Sequence, residues 1–140
     1  MAGLPKPDFS VTYKPSLTTL FRFSALTFNG HHIHLDKDYA QNSEGYPGAL
    51  LEVCQERRHL IVFAERLVHG PLTALMLLEV LQFHKPGLRL HTFEYRARNP
   101  VIVNRSSTIY GALTGENKAE MWCADDDGVV GMTGNVTFSQ

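Results

Sequence analysis

The segment from Pro71 to Phe83 constrains the fold of this chain more than any other part of the sequence. It is a run of strong helix formers with a proline in the first turn, where proline is favoured, and Lys85-Pro86-Gly87 ends it. Apolar residues occur on nearly every face of this helix up to Leu81. A helix that is apolar all round lies inside a protein, so the rest of the chain has to cover it.

The second half of the chain has the composition to form that cover. From residue 88 onward the residues alternate in polarity or are rich in β-formers, which predicts strands. The predicted strands are 88–98, 101–103, 105–113, 118–124 and 129–138, with turns at 115–117 and 125–128. A curved antiparallel sheet around the helix would bury the whole circumference of the helix. We therefore expect an α+β fold with a long central helix.

The first half of the chain is predicted to be helical. Three prolines within residues 1–15 indicate an extended arm, after which Ser16 can cap a helix over 17–28. Asn29-Gly30 ends that helix, and a histidine-rich turn follows. The segment 49–67 has two apolar clusters around a charged centre, and its periodicity does not decide between strand and helix.

Charge, cysteine content and hydropathy exclude several classes of protein. Thirteen Lys and Arg residues against 14 Asp and Glu give a net charge of −1, so no basic field is available to hold a nucleic acid. The longest apolar runs are too short to span a bilayer. Cys54 and Cys123 are far apart and form no CxxC pair, which favours reduced, structural thiols. With no secretory or transit signal in Met1–Pro7, we expect a soluble intracellular domain, mitochondrial or cytoplasmic.

Two features of the sequence could carry chemistry. The stretch from Asn29 to His34 places an amide and three imidazoles on one helix-terminating turn. An isolated histidine in a turn is more often a solvated surface residue, but side chains on one such turn can converge. In addition, Gly70 stands at the entrance to the buried helix, where its backbone N–H is reinforced by the helix dipole. Such an N–H suits a carbonyl oxygen that becomes negative during a reaction.

A metal site is the competing interpretation of the histidines. His32 and His34 are two residues apart and cannot share a helix face. Asp36 and Asp38 could add oxygen ligands, but no HExxH or facial-triad spacing occurs. The sequence also lacks a GxSxG elbow and the glycine-rich loops that bind nucleotide phosphates. We therefore expect no metal and no cofactor.

Three segments together resemble the MaoC-like hydratases and dehydratases of the hot-dog superfamily, in the branch of hydroxyacyl-thioester dehydratases and mesaconyl-CoA hydratases. They are FSALTFNGHHIHLDKDYA at 23–40, EGYPG at 44–48 and VHGPLTALMLL at 68–78, within a likeness that runs from about Pro15 to Phe138. The resemblance implies a single hot-dog fold, in which an antiparallel sheet wraps a long helix. It also implies a hydro-lyase that adds or removes water across the α,β bond of an acyl thioester, carried by CoA or a carrier protein.

The resemblance further implies roles for particular residues. His34 matches the family's catalytic histidine, and the backbone N–H of Gly70 matches the oxyanion donor. Asn29 stands where related R-specific hydratases have an aspartate that holds water; an amide cannot take a proton, so Asn29 would orient water while His34 handles the proton. Leu78 stands where some relatives have a polar residue. The predicted substrate-binding residues are His69, Leu72, Tyr46 and Arg96, the last as a partner for CoA phosphates.

This sequence departs from the family pattern in two ways. Relatives in this branch carry two hot-dog halves in one chain, and this chain resembles only the second, catalytic half. It would then need a partner to complete the substrate tunnel, either a second copy in a homodimer or a separate hot-dog subunit. Residues 49–67 intervene where relatives are short, as a lid over the acyl pocket or as a gene-model artefact. The predicted organisation is an arm at 1–15 and one hot-dog domain at 16–140 that contains this segment.

Two other functions compete with hydration. A thioesterase on the same fold would need a carboxylate near the thioester carbon, and Asp36 or Asp38 is the candidate. A non-catalytic module that binds acyl thioesters or only dimerises becomes the better account if the segment 49–67 blocks the pocket. Release of free thiol, or binding without turnover, would distinguish these functions from a hydratase.

Overall fold

The computed structural model describes residues 3–42 and 65–139. The predicted loop at 44–48, most of the predicted insertion at 49–67, Tyr46 and Cys54 lie outside the described residues. The described elements are, in chain order, β1 (Phe9–Tyr13), α1 (Leu17–Thr27), α2 (His32–Leu35), α3 (Lys37–Asn42), α4 (Gly70–His84), β2 (Arg89–Ala97), β3 (Ser107–Gly115), β4 (Lys118–Asp125) and β5 (Val130–Ser139). No helix within these two ranges is long and apolar enough to cross a bilayer.

The two longer helices lie where the sequence pattern predicts them. Ser16 caps α1 from an extended backbone conformation, and its Oγ accepts a hydrogen bond from the Thr19 N–H at 3.2 Å. Helix α4 begins one residue before Pro71, which suits a proline because its missing N–H would have no acceptor in the first turn. The capping signals in the sequence therefore fixed both helix starts.

The five strands form one antiparallel sheet in the order β1-β3-β4-β5-β2. Residues of α4 and of the sheet share one apolar core, in which Leu77, Leu81 and Ile109 are fully buried. A long helix packed against one face of a curved antiparallel sheet is the hot-dog arrangement. The α+β prediction is confirmed.

Strand β1 lies inside the segment 1–15, which is predicted to be an extended arm. It pairs with β3, with Phe9 opposite Gly111, and forms one edge of the sheet. The Phe9 ring packs directly over Gly111, where any Cβ would run into that ring and into the Met121 sulfur. The alternation of Phe9, Val11 and Tyr13 with polar residues was a strand signal that the nearby prolines obscured. Residues 9–13 are part of the sheet.

The expectation that the sheet buries the whole circumference of the central helix is wrong for a single chain. Along α4, Leu75 is 52% exposed and Phe83 is 78% exposed, although Leu77 and Leu81 are fully buried. Leu75, Glu79 and Phe83 recur every four residues and so form one exposed stripe along α4. The sheet packs against the opposite side of the helix and leaves this stripe uncovered by the described residues.

The segment that leads into α4 is held by backbone hydrogen bonds rather than by a sixth strand. The predicted strand at 101–103 is wrong: Ile102 forms only an isolated bridge with Leu67. The Val68 N–H donates to the Val101 carbonyl at 2.8 Å, and Val68 is buried. These bonds fix the two residues that precede His69 and Gly70.

Candidate active site

The turn between α1 and α2 folds back on itself through short-range hydrogen bonds. Helix α1 is capped at its C-terminus by Phe28, whose left-handed backbone (φ 53°) reverses the chain. The Asn29 N–H donates to the Ser24 carbonyl at 2.9 Å. The Asn29 Oδ1 then accepts from the His31 N–H at 3.1 Å, and the His31 Nδ1 accepts from the Ile33 N–H at 3.3 Å. This turn presents α2 to the segment that precedes α4.

His34 in α2 is anchored to that segment by its ring. Its Nδ1 lies 2.8 Å from the carbonyl oxygen of Leu67. Because a carbonyl oxygen can only accept a hydrogen bond, Nδ1 carries the proton in the neutral ring. The Nε2 atom of His34 therefore has the free lone pair, which a general base requires.

His69 lies behind His34 and is fully buried. It is the N-cap residue of α4, and its Nε2 lies 2.9 Å from the hydroxyl oxygen of Ser24 on α1. The Phe23 ring packs against it in a T-shaped contact, with ring centroids 4.9 Å apart. Contacts from α1 thus hold a histidine that belongs to the start of α4.

The rings of His34 and His69 are stacked, with centroids 3.7 Å apart and planes 21° from parallel. The pKa of His69 is lowered from 6.5 to about 4, chiefly by burial and to a smaller extent by the neighbouring His34. Burial also lowers the pKa of His34, with the hydrogen bond to Leu67 acting in the opposite direction and His31 adding to the decrease. Both rings are therefore neutral near pH 7, the state in which an imidazole can accept a proton.

Gly70 directly follows His69 and is the first residue of α4. The N–H groups of the first helical turn have no acceptor within their own helix, and the positive end of the helix dipole adds to their pull on an anion. A Cβ placed on Gly70 would meet no atom within 4 Å, so the backbone is open on that side. His34 thus stacks on the residue that directly precedes Gly70, where α2 meets the start of α4.

Comparison with known proteins identifies the family of this chain. The family model for hydroxyacyl-thioester dehydratase type 2 matches residues 2–52 and 62–103, which is more than half of the chain. The chain belongs to this dehydratase family. The family resemblance inferred from the sequence motifs is confirmed.

Two relatives are similar in sequence over part of their length. The mesaconyl-C(4)-CoA hydratase of Chloroflexus aurantiacus is 40% identical over 91 residues, which are 65% of this chain and 26% of that protein. The mitochondrial hydroxyacyl-thioester dehydratase type 2 of Schizosaccharomyces pombe is 30% identical over 123 residues, 86% of this chain and 35% of that protein. The chain spans about a quarter to a third of the length of these curated relatives.

Three solved structures share the fold at low sequence identity. An (R)-hydratase from A. caviae involved in PHA biosynthesis matches with a TM-score of 0.71 at 18% identity, over 99% of this chain and 98% of that one. A MaoC-like dehydratase from Phytophthora capsici matches with a TM-score of 0.76 at 17% identity, over 98% and 44%. A chain of the ChsH1–ChsH2 complex from Mycobacterium tuberculosis matches with a TM-score of 0.72 at 14% identity, over 100% and 99%. These likenesses establish the hot-dog fold.

The other predicted site residues of this dehydratase-family chain lie in different surroundings. Asn29 is half-buried, and its carboxamide oxygen is engaged with His31, which leaves the carboxamide nitrogen as the group that can donate to a water. Leu72 is buried in a small apolar cluster that joins the start of α4 to α1. Arg96 is exposed on the edge strand β2, opposite Thr133 of β5. Tyr46 lies outside the described residues.

Two groups at this site were missed in the sequence. Ser24 was predicted only to be part of a helix. It lies one turn after the buried Leu20, so it is a polar residue on a buried helix face, and a buried hydroxyl needs a hydrogen-bond partner. The Leu67 carbonyl that orients His34 is a backbone group 33 residues away. Every residue has such a carbonyl, so the type of residue 67 does not indicate the contact. Within residues 3–42 and 65–139 no group of three or more His, Cys, Asp or Glu side chains could hold a metal ion.

Proposed function

We propose that this chain is a hydro-lyase that adds water to, or removes it from, the α,β bond of an acyl thioester. The observation that carries the proposal is the stack of His34 on His69 immediately before Gly70. This arrangement supports a role for His34 as a proton acceptor with a defined tautomer, close to the N-terminus of α4. Membership of the hydroxyacyl-thioester dehydratase type 2 family supports the same reaction class.

In the direction of hydration, His34 takes a proton from water at Nε2 while the water oxygen attacks the β-carbon. The electrons of the carbon–carbon double bond move towards the thioester carbonyl, whose oxygen becomes negative. The N–H of Gly70 stabilises that charge. The proton held by His34 then returns to the α-carbon, so that one water has been added and the histidine is restored. Dehydration is the same sequence in reverse.

Asn29 and the predicted binding residues have supporting roles in this proposal. Asn29 orients the water and does not accept its proton, because a carboxamide is not a base at neutral pH. Leu72 and Tyr46 are the predicted residues for binding the acyl group, whereas His69, predicted with them, is fully buried. Arg96 is exposed, as a residue that meets the phosphates of CoA at a pocket rim would be.

We infer that the chain works as a homodimer. Its support is the exposed stripe of α4, with Leu75 and Phe83, and the edge strand β2, which pairs only with β5 among the described strands. Exposed apolar side chains on a helix, and a strand edge that no described strand pairs with, are both features that a second hot-dog unit would cover. The alternative partner is a separate hot-dog subunit.

Light scattering on the purified chain tests the assembly. We expect a mass of twice 15.7 kDa, reduced to the single-chain mass by Leu75→Lys. Leu26→Lys is the matched control, because Leu26 is also an exposed helix leucine but lies on α1. A strict monomer at working concentration would contradict the homodimer, and activity that appears only with an added hot-dog subunit would favour the alternative.

One product analysis tests the reaction itself. The chain is incubated with an α,β-unsaturated acyl-CoA, and the products are separated and weighed. We expect a 3-hydroxyacyl-CoA that is heavier by one water, with no release of free thiol. Release of CoA thiol would indicate a thioesterase, and saturable binding without product would indicate a binding module. The thioesterase has weaker support, because Asp36 is exposed and its Oδ1 accepts from the Tyr39 N–H at the start of α3.

A mitochondrial or cytoplasmic location is part of the same proposal. The relative from Schizosaccharomyces pombe is named as mitochondrial. Fractionation of cells that express the full chain would test it, and recovery in the culture medium would contradict it.

A further inference from the structure

The hydrogen bond between Ser24 and His69 lies entirely inside the protein. His69 is fully buried and Ser24 nearly so, and the two residues are 45 positions apart in the sequence. The second ring nitrogen of His69, Nδ1, is also buried and has no hydrogen-bond partner among the described residues. Because neither nitrogen reaches the surface, His69 is poorly placed for the substrate contact predicted for it.

The packing around His69 fixes the plane of its ring. The Phe23 ring makes a T-shaped contact with it, with centroids 4.9 Å apart and planes at 60°. The His34 ring is stacked on it, with centroids 3.7 Å apart and planes at 21°. The Ser24 hydroxyl holds one corner of the ring at 2.9 Å and so opposes rotation in that plane. A ring held in this way offers a rigid flat surface to His34.

We propose that His69 is a positioning residue, and that the Ser24–His69 pair holds the His34 ring so that its Nδ1 stays on the Leu67 carbonyl and its Nε2 faces the reacting groups. The orphan nitrogen supports this assignment. A buried polar atom without a partner destabilises a fold, and an apolar side chain would fill the same space without that cost. The neutral state of His69 is also required, since a charged ring would repel His34 once it has taken a proton.

The catalytic part of this inference rests on the proposed hydro-lyase activity, whereas the structural part does not. Ser24→Ala removes the hydroxyl and leaves His69 in place. Thr27→Ala is the matched control, because it removes a hydroxyl three residues further along α1 that donates to the Phe23 carbonyl of its own helix and, among the described residues, to no other element. Ser24→Thr keeps the hydroxyl and serves as the rescue.

Nitrogen-15 NMR of the histidine rings, without substrate, reads the structural part. The His34 signals are assigned by their loss in His34→Gln. We expect the wild type, Thr27→Ala and Ser24→Thr to show one His34 tautomer, with the proton on Nδ1, and Ser24→Ala to show a mixture of tautomers. If Ser24→Ala does not fold, Ser24→Cys carries the same test with a weaker donor of similar shape.

Steady-state kinetics read the catalytic part. We expect Ser24→Ala to lower kcat by about 10- to 100-fold, as a small misplacement of a catalytic group does, with KM unchanged. A raised KM with an unchanged kcat would overturn the proposal, since His69 would then contact the substrate. Unaltered His34 signals and kcat in Ser24→Ala would also overturn it. A tautomer change in a protein that never converts the thioester would uphold positioning and refute the proposed function alone.

Discussion

The Nδ1 atom of His34 lies 2.8 Å from the carbonyl oxygen of Leu67, so the segment before α4 decides which nitrogen of this ring carries the proton. This one contact links the turn after α1 to the start of the central helix. It leaves Nε2 as the atom that can take a proton from water.

The pH dependence of turnover follows from the state of His34. Burial and the nearby His31 lower its pKa below 6.5, so His34 is neutral at pH 7. We expect kcat/KM for hydration to be flat around neutral pH and to fall tenfold per pH unit once the pH drops below that pKa. Among the described residues, the titratable rings that face His34 are His31 and His69. His31→Asn should move the fall to higher pH. A fall that begins above pH 6.5 in the wild type would contradict this assignment.

The buried His69 should make the fold sensitive to mild acid. Its pKa is lowered to about 4, whereas in the unfolded chain it is near 6.5, so the unfolded state binds the extra proton between these values. Stability that is complete above pH 6.5 is therefore lost as the pH falls towards 4. Between about pH 7 and about pH 5 we expect a loss of about 2 kcal/mol from this residue.

Urea denaturation of the wild type and of His69→Asn at the two pH values measures that loss. The variant should be less stable at neutral pH and should lose less stability on acidification. An equal loss in both proteins would show that His69 is not the source.

A methyl group on Gly70 should disturb catalysis more than folding. A Cβ there meets no atom within 4 Å, but it would stand beside the backbone donor proposed for the thioester oxygen. We expect Gly70→Ala to lower kcat by about tenfold or more, short of the 10²–10³ typical of losing an oxyanion donor outright. Gly115→Ala is the control, because a Cβ there makes only ordinary contact with Lys118. Equal kcat values in the two variants would argue against a role for this backbone.

A methyl group on Gly111 should do the opposite. It would collide with the Phe9 ring and the Met121 sulfur, where β1 packs on β3. We expect Gly111→Ala to lower the free energy of unfolding by about 1–3 kcal/mol, the usual cost of overpacking a core. Thermal unfolding against Gly115→Ala measures it, and an unchanged midpoint would mean that β1 is not firmly part of the sheet.

Much of the fold could be predicted from the sequence because its strongest patterns are local. The apolar run from Pro71 to Phe83 predicts a buried helix, and the β-rich half after it predicts a sheet. Each can bury its apolar surface only against the other. Strand β1 was missed because it is only five residues long and lies between prolines. The exposed stripe on α4 was missed because periodicity reports how apolar a helix is and not how far the sheet reaches around it.

The candidate site could be predicted only in part. His34 and Gly70 were identified because their types and positions beside chain breakers carry chemical meaning. The contact of Ser24 with His69 joins residues 45 apart, and the contact of His34 with Leu67 uses a backbone oxygen. Such contacts depend on how α1 and α2 dock against the start of α4, which no local pattern specifies.

The most direct test of the account is turnover of an α,β-unsaturated acyl-CoA in isotopically labelled water, with His34→Gln compared with the wild type. His84→Gln is the matched control, since His84 also has its Nδ1 on a backbone carbonyl, that of Val80. We predict that the label enters the 3-hydroxyl group with the wild type and His84→Gln. With His34→Gln, incorporation should fall by about 10²–10⁴-fold, the usual contribution of a general acid–base residue, without loss of fold. Undiminished incorporation with His34→Gln would contradict the account.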